Sequence, residues 1–239
     1  MPPEISVVVP VCNEAGAAGP LAREIAEAFA GRDCEILFVD DASRDGTLEE
    51  LLAARAEVPG LRVLKHARNA GQSRAVRTGV LAARGAIVLT LDGDGQNPPA
   101  DGPGLVDALI AAPAEVAMVG GRRVKRRDSA AKRWASRIAN GVRKRLLNDD
   151  ADDTGCGLKA FRREAFLRLP YFDHMHRYLP ALMIREGYRV LYQDVGHRPR
   201  TTGASKYTNL GRLWAAVTDL QGVMWLRSRA RNPGAPREL

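Results

Sequence analysis

Residues 5–11 read ISVVVPV, an uncharged and mostly β-branched run. Such a run reads as a strand buried on both faces, the kind found inside a parallel sheet. The stretches that follow alternate in the same sense. AGPLAREIAEAFA (18–30) places Leu21, Ile25, Ala28 and Phe29 at helical spacing. CEILFVDD (34–41) reads as a second buried strand, and Ser43 precedes a helix through Leu48, Leu51 and Leu52. LRVLKH (61–66), AIVLTLD (86–92) and EVAMVGGR (115–122) continue as strands, separated by helical QSRAVRTGVLAA (72–83) and GPGLVDALIAA (102–112). This alternation predicts an α/β fold, an open and mostly parallel sheet flanked by helices. Ligands of such sheets bind at the carboxyl ends of the strands. Polar residues gather there: Asn13, Glu14, Asp40, Asp41, Asn69, Asp92 and Asp94.

The second half is less periodic. Residues 129–147 read as a helix with Trp134, Ile138, Val142 and Leu146 on one face. An acidic turn, NDDADDTGCG (148–157), leads into KAFRREAFLRL, to which no element is assigned. LPALMIREGY reads as helix and YRVLYQDVGHRPR (188–200) as a strand followed by a loop. Residues 209–226 form an amphipathic pattern with Leu210, Leu213, Trp214, Val217, Leu220 and Met224 on one stripe. The expected organisation is one domain over 1–226, with halves at about 5–122 and 123–226, and a flexible tail over 227–239.

Composition narrows the function classes. Of 239 residues, 45% are hydrophobic and 27% charged, an ordinary globular balance that excludes wholesale disorder. Aromatic residues are 5%, too few for a stacking platform on single-stranded nucleic acid. Cys12, Cys34 and Cys156 show no CxxC spacing, so neither a zinc nor a disulfide framework is legible and a reducing compartment is expected. Neither a signal peptide nor an apolar run of membrane-spanning length is read, so a cytoplasmic location is expected. Thirty-six basic against 28 acidic residues leave a net charge of +8, and residues 122–145 hold 11 Lys and Arg against one Asp. The excess is therefore local, and it predicts an anionic partner at one face.

LTLDGDGQNPP (89–99) carries the strongest chemical signal. If the strand continues, Asp92 and Asp94 point to the same side with Gln96 next. Two close carboxylates repel unless a cation or strong donors sit between them, and hard oxygen ligands suit Mg²⁺ or Mn²⁺ on substrate phosphates. GxxxxGK[ST], a GxGxxG after the first strand and GxSxG are all absent, which disfavours P-loop NTPases, nicotinamide dehydrogenases and serine hydrolases of the elbow type.

With VVVPVCNE (7–14), ILFVDDASRDGT (36–47), HARNAGQSRAVRTG (66–79), LDGDGQNPP (91–99) and VGGRR (119–123) in order, the sequence resembles a family 2 glycosyltransferase of the GT-A fold. KRWASRIAN (132–140), DTGCGLKAFRRE (153–164), MHRYLPAL (175–182) and PRTTGASKY (199–207) are similar to the branch that makes dolichyl- and polyprenyl-phosphate sugars. The resemblance spans about residues 5–226. It implies a GT-A nucleotide-diphospho-sugar transferase fold with C-terminal amphipathic helices, and inverting transfer from a nucleotide sugar to a polyprenyl phosphate. UDP-sugars are favoured as donors and GDP-mannose is the alternative. Pro10, Val11, Asn13, Glu14, Asp40, Asp41, Ser43, Asn69, Gly71, Ala75 and Asp92 are implied to hold the nucleotide sugar, with Asp40 on the base and Glu14 on the ribose. Asp92, Asp94 and Gln96 are implied to hold Mg²⁺ or Mn²⁺. Arg122, Lys132, Arg133, Ser136, Arg200 and Lys206 are the implied acceptor-phosphate set, since Arg forks match phosphate oxygens. Asp94 and Asp153 are the expected catalytic residues, Asp153 chiefly as a positioning group, and His176 is a candidate sugar contact. The lipid acceptor implies a peripheral position at the cytoplasmic membrane face, or a separate membrane subunit. A basic amphipathic helix around Trp134 suits the headgroup layer. Two other readings compete: a related transferase acting on a saccharide, and a non-catalytic basic protein that binds nucleic acid. The acceptor set weighs against the first, and Asp92, Asp94 and Gln96 against the second.

Overall fold

A computed structural model describes residues 3–124, 141, 145–147, 149, 153–199 and 209–231, with side chains of the last helix from 217 onward. Among these residues the strands are β1 (Ile5–Val11), β2 (Cys34–Asp40), β3 (Leu61–Lys65), β4 (Ile87–Thr90), β5 (Val116–Arg123), β6 (Lys159–Arg162) and β7 (Arg189–Val195). They form one sheet in the order β3-β2-β1-β4-β6-β5-β7. β1 runs parallel to β2 and β4, β2 to β3, and β5 to β7. Only β6 runs against its neighbours, β4 and β5. The helices are α1 (Ala18–Ala28), α2 (Thr47–Ala54), α3 (Gln72–Ala82), α4 (Gly102–Ala111), α5 (Arg163–Leu167), α6 (Leu179–Arg185) and α7 (Asn209–Ser228).

β1 is apolar throughout because helices cover both faces of the sheet. Ile5, Val7, Val9 and Val11 pack with Leu21, Ile25 and Phe29 on one face. Val8 packs with Val76 and Val80 of α3 on the other. The period of two therefore sends alternate residues into two different cores. α1 and α4 contribute to the first core, and α3, α5 and α6 to the second.

β6 is the element that the sequence leaves unassigned. It is four residues long and flanked by charge, so periodicity has little to act on. Its charges serve the helices beside it. The Arg162 guanidinium donates to the carbonyls of Leu109 and Ala112 at the end of α4 and of Val116. Arg163 donates to the carbonyls of Val80 and Leu81 in α3. Those in α3 and α4 lie at the helix ends, where intrahelical donors run out.

α7 docks with a face that keeps Leu220 of the predicted stripe but turns Val217 and Met224 away from the core. Val223 is fully buried and Leu220 and Leu226 pack on the second core, whereas Val217 and Met224 are exposed. Polar tethers fix this rotation: His174 Nδ1 lies 2.8 Å from Asp219, and the Arg185 guanidinium donates to the Leu226 carbonyl. Leu210, Leu213 and Trp214 of the stripe lie outside the described side chains. Among the described residues no helix is long and apolar enough to cross a membrane.

β4 stops at Thr90, paired with Val8, while β1 continues to Val11. Pro10, which has no N–H to donate, sits where β4 has already ended. The chain also reverses its order of strand addition here, with β2 and β3 on one side of β1 and β4 on the other. A crevice opens at such a switch point.

α3 must lie close on the sheet for this crevice to keep its shape. A Cβ at Gly79 would fall 2.3 Å from Val8 Cγ1 and 3.2 Å from Val39 Cγ2. Gly79→Ala gains up to ~1 kcal/mol of helix propensity but overpacks a core at a cost of ~1–3 kcal/mol. A net loss of ~1–2 kcal/mol in urea denaturation is expected.

Candidate active site

Two short loops close the carboxyl ends of β1 and β2. Asn13 and Ala42 both adopt left-handed backbone, at φ 52° and 59°. For alanine that conformation is costly and persists only where surrounding bonds impose it. Here they do. The Ser43 amide donates to Asp40 Oδ1, the Asn13 amide to Ser43 Oγ, and the Arg44 amide to Asn13 Oδ1. The Glu14 amide donates to Thr47 Oγ1. Asp40 is fully buried, and its Oδ2 has no hydrogen-bond partner among the described residues. A buried carboxylate oxygen left in this state costs free energy unless a ligand N–H meets it.

The adjacent Asp41 is used differently. Its Oδ1 accepts from the Ala70 amide and lies 2.7 Å from His66 Nδ1, and its Oδ2 accepts from the Gly71 amide. Asn69 Nδ2 donates to the Asp41 carbonyl and to Cys12 Sγ. Asp41 and Asn69 thus build the loop that starts α3. Val11 faces the first core and gives its carbonyl to the Asp41 amide, and Ala75 is fully buried. These residues shape the cradle through backbone and packing.

The Asp92 and Asp94 carboxylates lie on the turn beyond β4, not on a continuing strand. Asp92 Oδ1 accepts from Gln72 Nε2 at 2.7 Å, and Asp94 Oδ1 from the Gln96 amide. The Gln96 side chain reaches toward the Arg198 carbonyl, and its own carbonyl accepts from the Arg198 amide. Burial pushes the Asp92 carboxyl pKa up, and the like charge of Asp94 adds to that, against the pull of Lys159 and Arg123. Among the described residues no three His, Cys, Asp or Glu side chains converge as a ready-made metal cluster. Two hard carboxylates with a phosphate ligand nevertheless fit a Mg²⁺ or Mn²⁺ ion, which binds through one or two carboxylates and keeps waters. The cradle for Asp92 is specific: a Cβ at Gly157 would fall 2.3 Å from its carboxylate.

Behind Asp92 lies a cavity of about 310 Å³ with Gln72, Thr90, the 154–157 turn, Lys159, His176 and Arg177 on its walls. Lys159 is buried and its ammonium donates to the Cys156 carbonyl. Burial lowers its pKa, while the charges of Cys156 and Asp92 oppose that shift. Arg123 grips Asp153 through two 2.6 Å bonds, with 13% and 10% of the two side chains exposed. His176 Nδ1 lies 2.7 Å from Ser73 Oγ. Burial, reinforced by the charges of Lys159, Arg177 and His174, lowers the His176 pKa to about 3.

The structure thus brings together Pro10, Asn13, Glu14, Asp40, Ser43, Gly71, Asp92 and Asp94 around one crevice, with Asp153 behind its rear wall. Arg122 points outward and pairs with Asp194. Lys132, Arg133, Ser136, Arg200 and Lys206, with the helix around Trp134, lie outside the described residues. Sequence reading missed Gln72, Ser73, Arg123 and Lys159. Lys159 carried a signal, as a lone cation between Leu158 and Ala160; Arg123 carried little, standing beside a second arginine.

Residues 6–169 match glycosyl transferase family 2. The chain is 33% identical to the dodecaprenyl-phosphate galacturonate synthase of Rhizobium johnstonii, over 97% of this chain and 69% of that protein. It is 38% identical to the undecaprenyl-phosphate 4-deoxy-4-formamido-L-arabinose transferase of Pseudomonas paraeruginosa, over 92% of this chain and 65% of that protein. The chain therefore spans about two thirds of the length of these curated relatives. In fold it is similar to glucosyl-3-phosphoglycerate synthase from Mycobacterium tuberculosis solved with Mn²⁺, UDP and glucosyl-3-phosphoglycerate. The TM-score is 0.71 at 18% identity, over 97% of this chain and 82% of that one. The same enzyme with Mg²⁺ and UDP gives a TM-score of 0.69 at 18% identity, with the same coverage.

Arg123→Met removes the two-point ion pair from the buried Asp153 carboxylate. It is expected to cost ~3–5 kcal/mol in urea denaturation, most of it recovered in the Arg123→Met, Asp153→Asn double variant. His176 makes stability depend on acid. Above about pH 6.5 the ring is neutral in both folded and unfolded chains. As pH falls toward 3, the unfolded chain takes up a proton that the folded one refuses, so stability is lost over that window. His176→Gln is expected to lose less stability than the wild type between pH 7 and pH 5 in the same denaturation.

Proposed function

The chain belongs to glycosyl transferase family 2, and from that membership we propose that it transfers a sugar from a UDP-sugar to a polyprenyl phosphate, with inversion at the anomeric carbon. The observation that carries this reading is the crevice between β1 and β4. It sets a buried carboxylate oxygen of Asp40, without a partner among the described residues, at the end of β2 and the pair Asp92 and Asp94 beyond the end of β4, with β1 between them. Asp40 Oδ2 accepts the N–H of the base, and the Asn13–Glu14 turn faces the ribose. Asp92 and Asp94, with Gln96 at the far side of the turn, hold a divalent cation. Bound there, the ion neutralises charge that builds on the departing diphosphate.

An oxygen of the lipid phosphate attacks the anomeric carbon and forms the new C–O bond. The bond from that carbon to the diphosphate breaks, and its electron pair leaves with the nucleoside diphosphate. A phosphate nucleophile is already ionised near neutral pH, so no strong base is needed. Asp153 fits this: both oxygens are held by Arg123, which suits a fixed positioning role better than proton uptake. The names of the two curated relatives support a polyprenyl-phosphate acceptor. UDP in the solved neighbours supports the choice of nucleotide. The basic window at 122–145 supports an anionic acceptor and a peripheral place on the cytoplasmic membrane face.

Radiolabelled UDP- and GDP-sugars are incubated with undecaprenyl phosphate and Mn²⁺, then with EDTA. Label is expected in the lipid phase only with the metal and a UDP-sugar. Asp94→Asn is expected to lower transfer by ~10²–10³-fold, the equivalent of a few kcal/mol of barrier. Label that passes to saccharide and not to lipid would overturn the acceptor assignment.

A further inference from the structure

The cavity wall carries a histidine whose ring, among the described residues, is bonded on one side only. Ser73, the second residue of α3, is 1% exposed. Its Oγ lies 3.3 Å from the His176 backbone nitrogen and 2.7 Å from His176 Nδ1. The backbone N–H can only donate, so Oγ accepts it. The hydroxyl proton then needs an acceptor of its own, and among the described residues Nδ1 is the one in reach. An imidazole that accepts at Nδ1 carries its proton on Nε2. Nε2 has no hydrogen-bond partner among the described residues, and the ring lines the cavity. Lys159 and Arg177 stand on the same walls and disfavour a second proton on the ring.

The place of the cavity indicates what meets that N–H. Asp40 ends β2, and the Asp92 turn follows β4, two strands further along the sheet. Thr90 of β4 and Lys159 of β6 line the cavity, which continues the same direction past Asp92. A nucleotide sugar laid with its base at Asp40 and its diphosphate at Asp92 runs on into this space with its sugar.

We propose that His176 presents Nε2–H as a fixed, neutral hydrogen-bond donor to a hydroxyl oxygen of the sugar being transferred, with Ser73 as the positioning residue that sets its tautomer. This rests on the reading of the donor as a nucleotide sugar. The pairing gives the cavity an uncharged donor between two cations. Such a donor discriminates by geometry and not by charge.

The test has a spectroscopic arm and a kinetic arm. In ¹⁵N-histidine spectra of the full chain at pH 7, His176 is expected as the neutral Nε2–H form. Ser73→Ala is expected to mix the tautomers. A ring that is cationic or protonated at Nδ1 in the wild type would overturn the proposal. In the kinetic arm, His176→Phe is expected to keep its affinity for UDP with Mn²⁺ and to lose about tenfold in kcat/KM for the best UDP-sugar. His176→Gln, which can place an amide N–H near Nε2, recovers part of that loss and guards against misfolding of the phenylalanine variant. Unchanged kcat/KM in both variants, or a loss of UDP affinity that matches the loss of turnover, would also overturn it. Should the wild type transfer no sugar to polyprenyl phosphate, the acceptor reading fails on its own. The same question is then put by calorimetry with UDP-glucose against UDP. A preference for the sugar that His176→Phe abolishes upholds the contact, and equal affinities refute it.

Discussion

The Asp41 carboxylate is the bond on which the site depends. It sits at the end of β2, almost fully buried, and accepts from the amides of Ala70 and Gly71. α3 has no side-chain cap of its own, and Gly71 at its start takes a φ of 86° that favours glycine. A carboxylate from a different element therefore satisfies amides just before the helix, where the partial positive charge also favours it. The consequence is geometric. Once Gly71 is fixed, Gln72 meets Asp92 and Ser73 meets His176. One buried acid thus sets two walls of the crevice through consecutive residues of a single helix turn.

The rear wall solves a different problem, that of several charges in little water. Asp92, Lys159, Arg123 and Asp153 lie close enough to shift one another. Arg123 and Asp153 neutralise each other by a two-point contact. Lys159 turns to a carbonyl and lends only its field to Asp92. Asp92 is thereby left under-compensated, with its pKa raised by burial. A carboxylate that its own protein does not fully neutralise is suited to receive a cation with the substrate. Gly157 belongs to this device, because any side chain there would occupy the space of the Asp92 carboxylate.

Much of the first half was legible because its elements are long, apolar and buried on both faces. β1 was read with its observed ends and β2 within a residue, and the order of strands and helices followed from alternation. β6 was not legible. Its four residues take their place from long-range pairing with β4 and β5, and Arg162 at its end and the adjoining Arg163 serve carbonyls some fifty and eighty residues away in sequence. Among the described members of the α7 stripe only Leu220 meets the core, while Val217 and Met224 do not, for a related reason. Helical periodicity proposes an apolar face, but Asp219 and the Leu226 carbonyl are tied to His174 and Arg185, and those ties choose the face.

The sharpest limit on reading chemistry from sequence lies in the pair Asp40 and Asp41. They are the same residue type, adjacent, buried and at the end of one strand, and a motif treats them as one feature. The strand sends their side chains to opposite sides. One side holds the 66–71 loop, whose amides use up both oxygens of Asp41. The other holds the 42–44 turn, which uses one oxygen of Asp40 and leaves the second without a partner among the described residues. The residue with all its bonds made within the protein builds the site, and the residue with a bond still to make is the one able to bind. What separates the two is how many donors the surrounding backbone supplies, a quantity fixed by loops from elsewhere in the chain.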